Sequence, residues 1–342
     1  MMDYATINIV SEKAGVSKTT VSRYLNGKYE HMSEKTKLRI KAIIEELDYR
    51  PNMMARSLKS KKTGLIGVIV SDITNPVVIM MVKGIIDYAA KEGYQVVTAS
   101  SDEKTAKEKE YIHSMIDRQV EGLIVNIVDY NDYELVESLA AKGAKIVLAD
   151  RTIGKPVLDM VTTDNYDVTR STIKSLYGLG YDVVGLFSSE LLKSNVRLAR
   201  HDGFLDESAG FVEDSKKLVY LFKDDSVEEY KQALEDFTRK NSSAGRLAVF
   251  ASTPRALLNL LSAAHELDIR IPGDLGVCGY DNLHWTRLIG GGISVVDQPF
   301  YEVGTESAKI LIDRIRNDMP EGEKPKYVEL KSRLILRNST NI

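Results

Sequence analysis

Apolar positions in the first fifty residues recur at helical spacing. Val10 and Ala14 lie four apart, as do Val21 and Leu25, while Ile40, Ile43, Ile44 and Leu47 follow the i, i+3, i+4, i+7 rule. A hydroxyl side chain precedes each run and can accept from the free N–H groups of a helix start. Thr6 stands before a helix ending near 14, Ser17 before one over 18–26, and Ser33 before one reaching about 47. Gly15 separates the first two helices and permits the positive φ of a tight turn between crossed helices. With Val16, these apolar residues form one patch. Thr19, Ser22, Arg23 and Asn26 then point away from it, with Lys18 at the exposed N-terminal end of the second helix. A tight turn followed by a polar second helix is the layout of helix-turn-helix.

Residues 52–60 place Met54, Ala55 and Leu58 at helical spacing among Arg56, Lys59, Lys61 and Lys62. A stretch this short does not hold a helix alone in water. Beyond Gly64 the period changes. Short apolar runs at 65–70, 96–97, 123–127 and 146–149 are followed by a second series at 160–163, 183–187, 218–222, 247–251 and 275–279, with amphipathic stretches between them. That alternation predicts an α/β architecture of doubly wound parallel sheets. About 250 residues exceed what one such core usually holds, so two lobes are expected.

Charge sharpens the division. Residues 1–62 carry 13 Lys+Arg against 7 Asp+Glu, a net of +6, which leaves −9 on the rest of a chain whose formal charge is −3. A basic head on an acidic body points to a polyanion partner for the head. The single cysteine, Cys278, excludes an intrachain disulfide framework. No signal-peptide pattern or membrane-spanning run appears, so a cytoplasmic protein without a membrane partner is expected.

The motifs at 15–23 (Gly-Val-Ser-Lys-Thr-Thr-Val-Ser-Arg), 49–52 (Tyr-Arg-Pro-Asn) and 55–58 (Ala-Arg-Ser-Leu) resemble the lactose-repressor (LacI/GalR) family of bacterial transcription regulators, and the resemblance extends to the C-terminus. It implies a helix-turn-helix domain at 1–50, a hinge helix and linker at 51–62, and an effector-binding and dimerisation domain at 63–342. The latter would comprise two lobes of periplasmic-binding-protein type, one about 63–161 with 294–322, the other about 162–293 with 323–339. It also implies that Lys18, Thr19 and Arg23 read operator bases, while Ser17, Thr20, Ser22 and Asn26 set the head on phosphates. The chemistry agrees: Arg can bridge guanine O6 and N7, and hydroxyls suit phosphate oxygens. On the hinge, Leu58 matches the residue that wedges into the minor groove, accompanied by Asn52, Ala55 and Lys59.

Ligands of doubly wound sheets sit at the carboxyl ends of strands. Asp72, Asp150, Asp164, Ser188, Ala251 and Asp281 all lie at or just past the ends of strand patterns here. The resemblance assigns effector contact to Arg200, Asp281, Asp150 and Gln298, and gives the first-lobe wall to 72–76, with Asn75 and Pro76. Two departures unsettle the usual neutral-sugar pocket: Thr253 stands where the family has an amide, and Val77-Val78 where it often has aromatics. Arg151, Lys193, Arg197, Arg200 and Arg255 gather near the expected cleft. They point to a carbohydrate effector with an acid group, a sugar acid or sugar phosphate, as readily as to a plain sugar.

The other signals are weaker. Gly290-Gly291-Gly292 precedes a strand rather than a helix, so it reads as a flexible crossing rather than a phosphate loop. The histidines lack metal-ligand spacing, and no catalytic set or cofactor fingerprint appears. The expected protein is therefore a DNA-binding transcriptional regulator, a repressor rather than an enzyme, acting as a homodimer on a near-palindromic operator of double-stranded DNA. A transport-type sugar-binding protein is the alternative. Dimer contacts are expected on the helices after Pro76 and Pro254 and on 281–289, where Trp285 could serve either the interface or the pocket.

Overall fold

The computed structural model describes residues 5–30, 32–49, 63–155, 157–191, 193–223, 225–317 and 323–341. The expected hinge helix, with Asn52, Ala55, Leu58 and Lys59, lies outside the described residues. The chain divides into two compact units, Met1–Thr63 and Gly64–Ile342.

The first unit holds three helices, α1 (Ile7–Lys13), α2 (Lys18–Leu25) and α3 (Glu34–Glu46). Thr6, Ser17 and Ser33 cap them, accepting from the backbone N–H groups of Ile9, Thr20 and Thr36 at 3.5, 3.1 and 3.2 Å. Gly15 takes a φ of +58° and lets α2 cross α1. Val10, Ala14, Val21, Ile40 and Tyr49 form a buried centre, with Val16, Leu25, Ile43, Ile44 and Leu47 packed around it. So small a core leaves little margin of stability.

The second unit holds two six-stranded sheets. The first contains β1 (Leu65–Val70), β2 (Gln95–Ser100), β3 (Gly122–Val125), β4 (Ile146–Ala149), β5 (Asp159–Thr163) and, late in the chain, β11 (Tyr327–Leu330). Its order is β2-β1-β3-β4-β5-β11, and all pairs are parallel. The second contains β6 (Val183–Ser189), β7 (Val219–Phe222), β8 (Leu247–Ala251), β9 (Gly276–Tyr280), β10 (Ser294–Asp297) and β12 (Arg333–Ile335). Its order, β7-β6-β8-β9-β10-β12, repeats the first, with β12 the one antiparallel member. Central strands are apolar and, Leu65 apart, buried, because helices cover both faces. Helices α4 (Pro76–Lys91), α5 (Thr105–Asp117), α6 (Glu134–Ala141) and α11 (Phe300–Arg316) cover the first sheet. Helices α7 (Asn165–Gly178), α8 (Asn195–Ser208), α9 (Val227–Lys240) and α10 (Pro254–Glu266) cover the second.

The lobe boundaries differ from those expected. Residues 294–297 pair within the second sheet rather than the first, and β5 reaches Thr163 inside the first sheet. Residues 327–330 return to the first sheet before β12 joins the second. The chain therefore crosses at 164, 298–299 and 331–332. These crossings are laced together: the Asp164 carboxylate accepts from Ser332 N at 2.8 Å, and Thr163 Oγ1 donates to Gln298 Oε1 at 2.7 Å. The triple glycine is not a crossing. It turns into β10 within the second lobe, where Ser339 N donates to Gly292 O and Asn338 Nδ2 to Gly290 O. Trp285 packs on the second-lobe core.

Candidate functional site

In the first unit, the Val21 side of α2 is buried and Lys18, Thr19, Arg23 and Asn26 are exposed. Ser17 is engaged as a cap and shares a hydrogen bond with Thr20 Oγ1 at 2.9 Å. Asn26 Nδ2 donates to Ser22 O at 2.7 Å, closing the helix. Among the described residues Lys18, Thr19 and Arg23 make no side-chain hydrogen bond or ion pair. Their donors and acceptors are therefore available to an external partner. Those three are the expected base readers, while the four residues expected on phosphates are the ones that also stabilise the helix ends.

In the second unit the carboxyl ends of both sheets carry two buried hydrogen-bonded sets, each with an aspartate on which Arg200 acts. Asp150 follows β4 and Asp281 follows β9; both are buried, and both take positive φ, 65° and 71°. Asp tolerates that left-handed conformation at a cost, and such residues concentrate at functional sites. Asp150 Oδ2 accepts from Asn126 Nδ2 at 3.0 Å, and Asn126 Oδ1 in turn accepts from Ser71 Oγ at 2.6 Å. Asp150 Oδ1 is buried without a hydrogen-bond partner. Burial pushes its acid upward, against the pull of Arg151 and Arg200. Asp281 Oδ1 accepts from Gln298 Nε2 at 2.6 Å, and burial pushes its acid to about 6, again opposed by Arg200.

Arg200, on α8, ties the second-lobe set to the crossings. Its Nε donates to Asn165 Oδ1 at 2.8 Å and a terminal nitrogen to Ser252 O at 2.7 Å, with Gln298 Oε1 at 3.4 Å. The guanidinium lies 3.7 Å from the centre of the buried Tyr280 ring, a cation–π contact. Asp150, Arg200, Asp281 and Gln298 are thus brought together. The mouth of the cleft is closed by direct bonds between lobes: Tyr130 N donates to Lys193 O at 3.2 Å, and Thr152 and Asn195 exchange two hydrogen bonds.

Other expected contacts are engaged locally. Asp72 accepts from Thr74 N and Oγ1 at 2.8 and 2.7 Å, Asn75 caps α4 through Val77 N, and Thr253 caps α10 through Ala256 N at 3.1 Å. Pro76 is exposed at the first turn of α4. The basic gathering also thins. Arg151 is buried against Glu103, Lys193 is exposed, and Arg255 is largely exposed, 4.0 Å from Asp225. Arg197 stays half-buried near the cleft. Sequence reading missed Asn126, which it placed inside a strand that ends at Val125, and Asn165 and Thr163, hidden by the displaced crossing. Among the described residues no His/Cys/Asp/Glu group has metal-site geometry, and none of their helices is long and apolar enough to cross a membrane. Cys278 is buried, and burial pushes its thiol up to about 12.

A helix-turn-helix unit joined to a two-lobed unit with a polar cleft defines the class of ligand-responsive DNA-binding regulators. Residues 6–52 match the family described as "Bacterial regulatory proteins, lacI family", and residues 66–323 match "Periplasmic binding protein domain". The HTH-type transcriptional regulator KdgR of Bacillus subtilis is 35% identical over 340 residues, 98% of each chain. Among solved structures, the CelR–cellobiose complex is similar at 25% identity and TM-score 0.69, over 98% of this chain and 99% of that one. The lac repressor dimer bound to operator and the anti-inducer ONPF shares the fold at TM-score 0.85 and 24% identity, over 99% of each chain. The chain belongs to the lacI family of bacterial regulatory proteins and is a DNA-binding transcriptional regulator. A transport-type binding protein without a transcriptional role is set aside by the head match and by the regulators that match it end to end.

Proposed function

We propose that this regulator is a homodimeric repressor, and not an enzyme, which grips a near-palindromic operator in the cytoplasm. Its two α2 helices would enter successive major grooves, and a carbohydrate-type effector in the cleft would set that grip. The observation that carries this reading is the exposed face of α2, where Lys18, Thr19 and Arg23 have no side-chain partner among the described residues, on a helix otherwise well capped. Arg23 suits guanine, and Thr19 suits a thymine methyl or a base edge. Two-fold pairing is supported by exposed apolar side chains where dimer contacts are expected: Ile79, Met80 and Ile86 on α4, Leu258 on α10, and Leu288 with Ile289 beyond.

In the cleft, paired carboxylates suit hydroxyl donors, and an arginine stacked on an aromatic ring suits a compact polar ligand. An effector with different affinity for the open and closed lobes shifts their balance. Lobe closure would then change the separation of the two Gly64 positions in the dimer, and with it the hinge segments at 51–62. Leu58 is proposed as the wedge at the centre of the operator, with Asn52, Ala55 and Lys59 around it. Selection of the full chain from a randomised duplex pool tests the reading. A near-palindromic consensus is expected, with affinity falling steeply as salt rises. Recovery of no consensus would sink it.

A further inference from the structure

We propose that the effector carries an acidic group, a carboxylate or a phosphate, and that Arg197 on the first turn of α8 selects it. This deepens the carbohydrate reading of the cleft and rests on it. The three buried or half-buried arginines near the cleft differ in what they already hold. Arg151 is saturated: its guanidinium grips both oxygens of Glu103 and also reaches Ile127 O and Val128 O. Arg200 is held by Asn165, Ser252 and Gln298 and lies against Tyr280. Among the described residues Arg197 donates only to Glu190 O, at 3.1 Å, although a guanidinium has five N–H donors.

Among the described residues no carboxylate makes an ion pair with Arg197, although Glu103 and Asp225 act on its charge. Glu103 is committed to Arg151, while Asp225 accepts from Ser189 and Tyr230 at 2.8 and 2.7 Å. The position is itself unfavourable to a cation. A helix start carries partial positive charge, α8 has no acidic residue in its first turn, and no side chain caps it. Its N-cap residue, Ser194, is 1% exposed, and its hydroxyl has no hydrogen-bond partner. The same turn faces the first lobe, since Asn195 bonds to Thr152 just past Arg151. Burial, then Arg151 and Arg200, pull the Arg197 guanidinium below its ordinary range, and the nearby Glu103 and Asp225 offset this only in part.

A bound anion resolves these features together. It can take a two-pronged contact from Arg197 and a hydrogen bond from Ser194, at a helix start that already favours negative charge. Hydroxyls elsewhere on the ligand can then donate to Asp150 Oδ1. A neutral sugar would leave Arg197 unmatched.

Calorimetric titration of the full chain with neutral hexoses and pentoses, their aldonic and uronic acids, and their phosphates tests the proposal. An acid is expected to bind at least about tenfold tighter than its neutral parent, which is about 1.4 kcal/mol. The tighter arm, carboxylate or phosphate, identifies the group. Arg197→Gln should erase the preference, and Arg197→Lys, which keeps the charge, should restore part of it. Neutral sugars binding as tightly as their acids would overturn the proposal and leave the carbohydrate reading standing, as would a preference that survives in both variants. Binding of no sugar in any arm would overturn both.

Discussion

Strands β4 and β9 hold the same place in their two sheets, and each hands the chain to a buried aspartate with positive φ. The two acids then differ. Asp150 in the first lobe leaves one oxygen without a partner. Asp281 in the second is bonded to Gln298, which sits on a crossing and also accepts from Thr163. A ligand donating to Asp150 completes a missing hydrogen bond. One that reaches Asp281 competes with Gln298 and so acts on the connection between lobes. The repeated plan thus supplies two roles, an acceptor in waiting and a lever on the crossings.

The lobes also differ in how tightly their helices meet, and here the largest effects are expected. In the first lobe Gly84 and Gly304 bring α4 and α11 together so closely that a Cβ on either would lie 2.1 Å from Tyr301 O or 2.0 Å from Met81 O. In the second, a Cβ on Gly203 would lie 2.6 Å from Tyr166 O. All these obstacles are backbone, which cannot rotate away. Gly304→Ala should cost about 4 kcal/mol or prevent folding, and Gly203→Ala about 2 kcal/mol, both read by denaturant unfolding. Equal, small losses would mean that the helices slide apart easily and that the first lobe is not the stiffer one.

Acid titration separates the lobes next. Burial raises Asp281 from 3.8 to about 6 and Glu108, beneath Val128 in the first lobe, from 4.5 to about 7. A carboxyl raised in the folded state binds more protons folded than unfolded. Its stabilising contribution is therefore complete below the ordinary value and is lost as pH rises through the folded one. Stability of the ligand-free chain should fall between pH 4 and 7 on this account, by on the order of 2 kcal/mol for each group. Asp281→Asn should flatten the lower part of that fall and Glu108→Gln the upper part. A profile that neither substitution alters would show that both carboxylates are ionised without penalty.

What could be read from the sequence divides along local and non-local lines. The caps Thr6, Ser17 and Ser33 and the turn at Gly15 were legible because each depends on neighbours within four residues. The main strand–helix alternation was legible for the same reason. The crossings were not, because whether Val295 and Val296 extend the first or the second sheet is decided by partners, Gly279, Tyr280, Leu334 and Ile335, far away in the chain. In the cleft, the sequence offers Asp150, Arg200, Asp281 and Gln298 as candidates, while their hydrogen bonds to Asn126, Thr163 and Asn165 depend on the tertiary fold. Asp72, Asn75 and Thr253 carry side chains suited equally to a ligand or to a helix start, and composition does not separate those uses.

The two aspartates can be distinguished directly. Asp150→Asn replaces one of its acceptor oxygens with a donor in the site where a ligand hydroxyl is expected to donate. Effector affinity should fall about tenfold or more, with little change in how strongly a saturating effector alters operator affinity. Asp281→Asn keeps an oxygen for Gln298. Its affinity loss should be smaller, within about threefold, while the ratio of operator affinities with and without effector should shrink. Identical phenotypes, measured by calorimetry and by DNA titration at saturating effector, would remove the division of roles.

The smallest effects concern the helix starts that open onto the cleft, α4 in the first lobe and α10 in the second. Asn75 and Thr253 both give a side-chain oxygen to a backbone N–H, at 3.3 and 3.1 Å. Losing a cap costs about 1 kcal/mol, so Asn75→Ala and Thr253→Ala should each lower stability by that amount. Thr253 has the shorter bond and a helix that follows a fully buried strand, so its loss should be the larger of the two. Effector affinity should then move by less than about threefold, since a cap acts on the helix and reaches the ligand only through it. Had either side chain been a ligand contact, the pattern would invert, with a tenfold affinity loss and an unchanged unfolding midpoint. The two readings thus predict opposite results on the same pair of measurements, and the comparison of the lobes extends to the residues that the sequence alone could not sort.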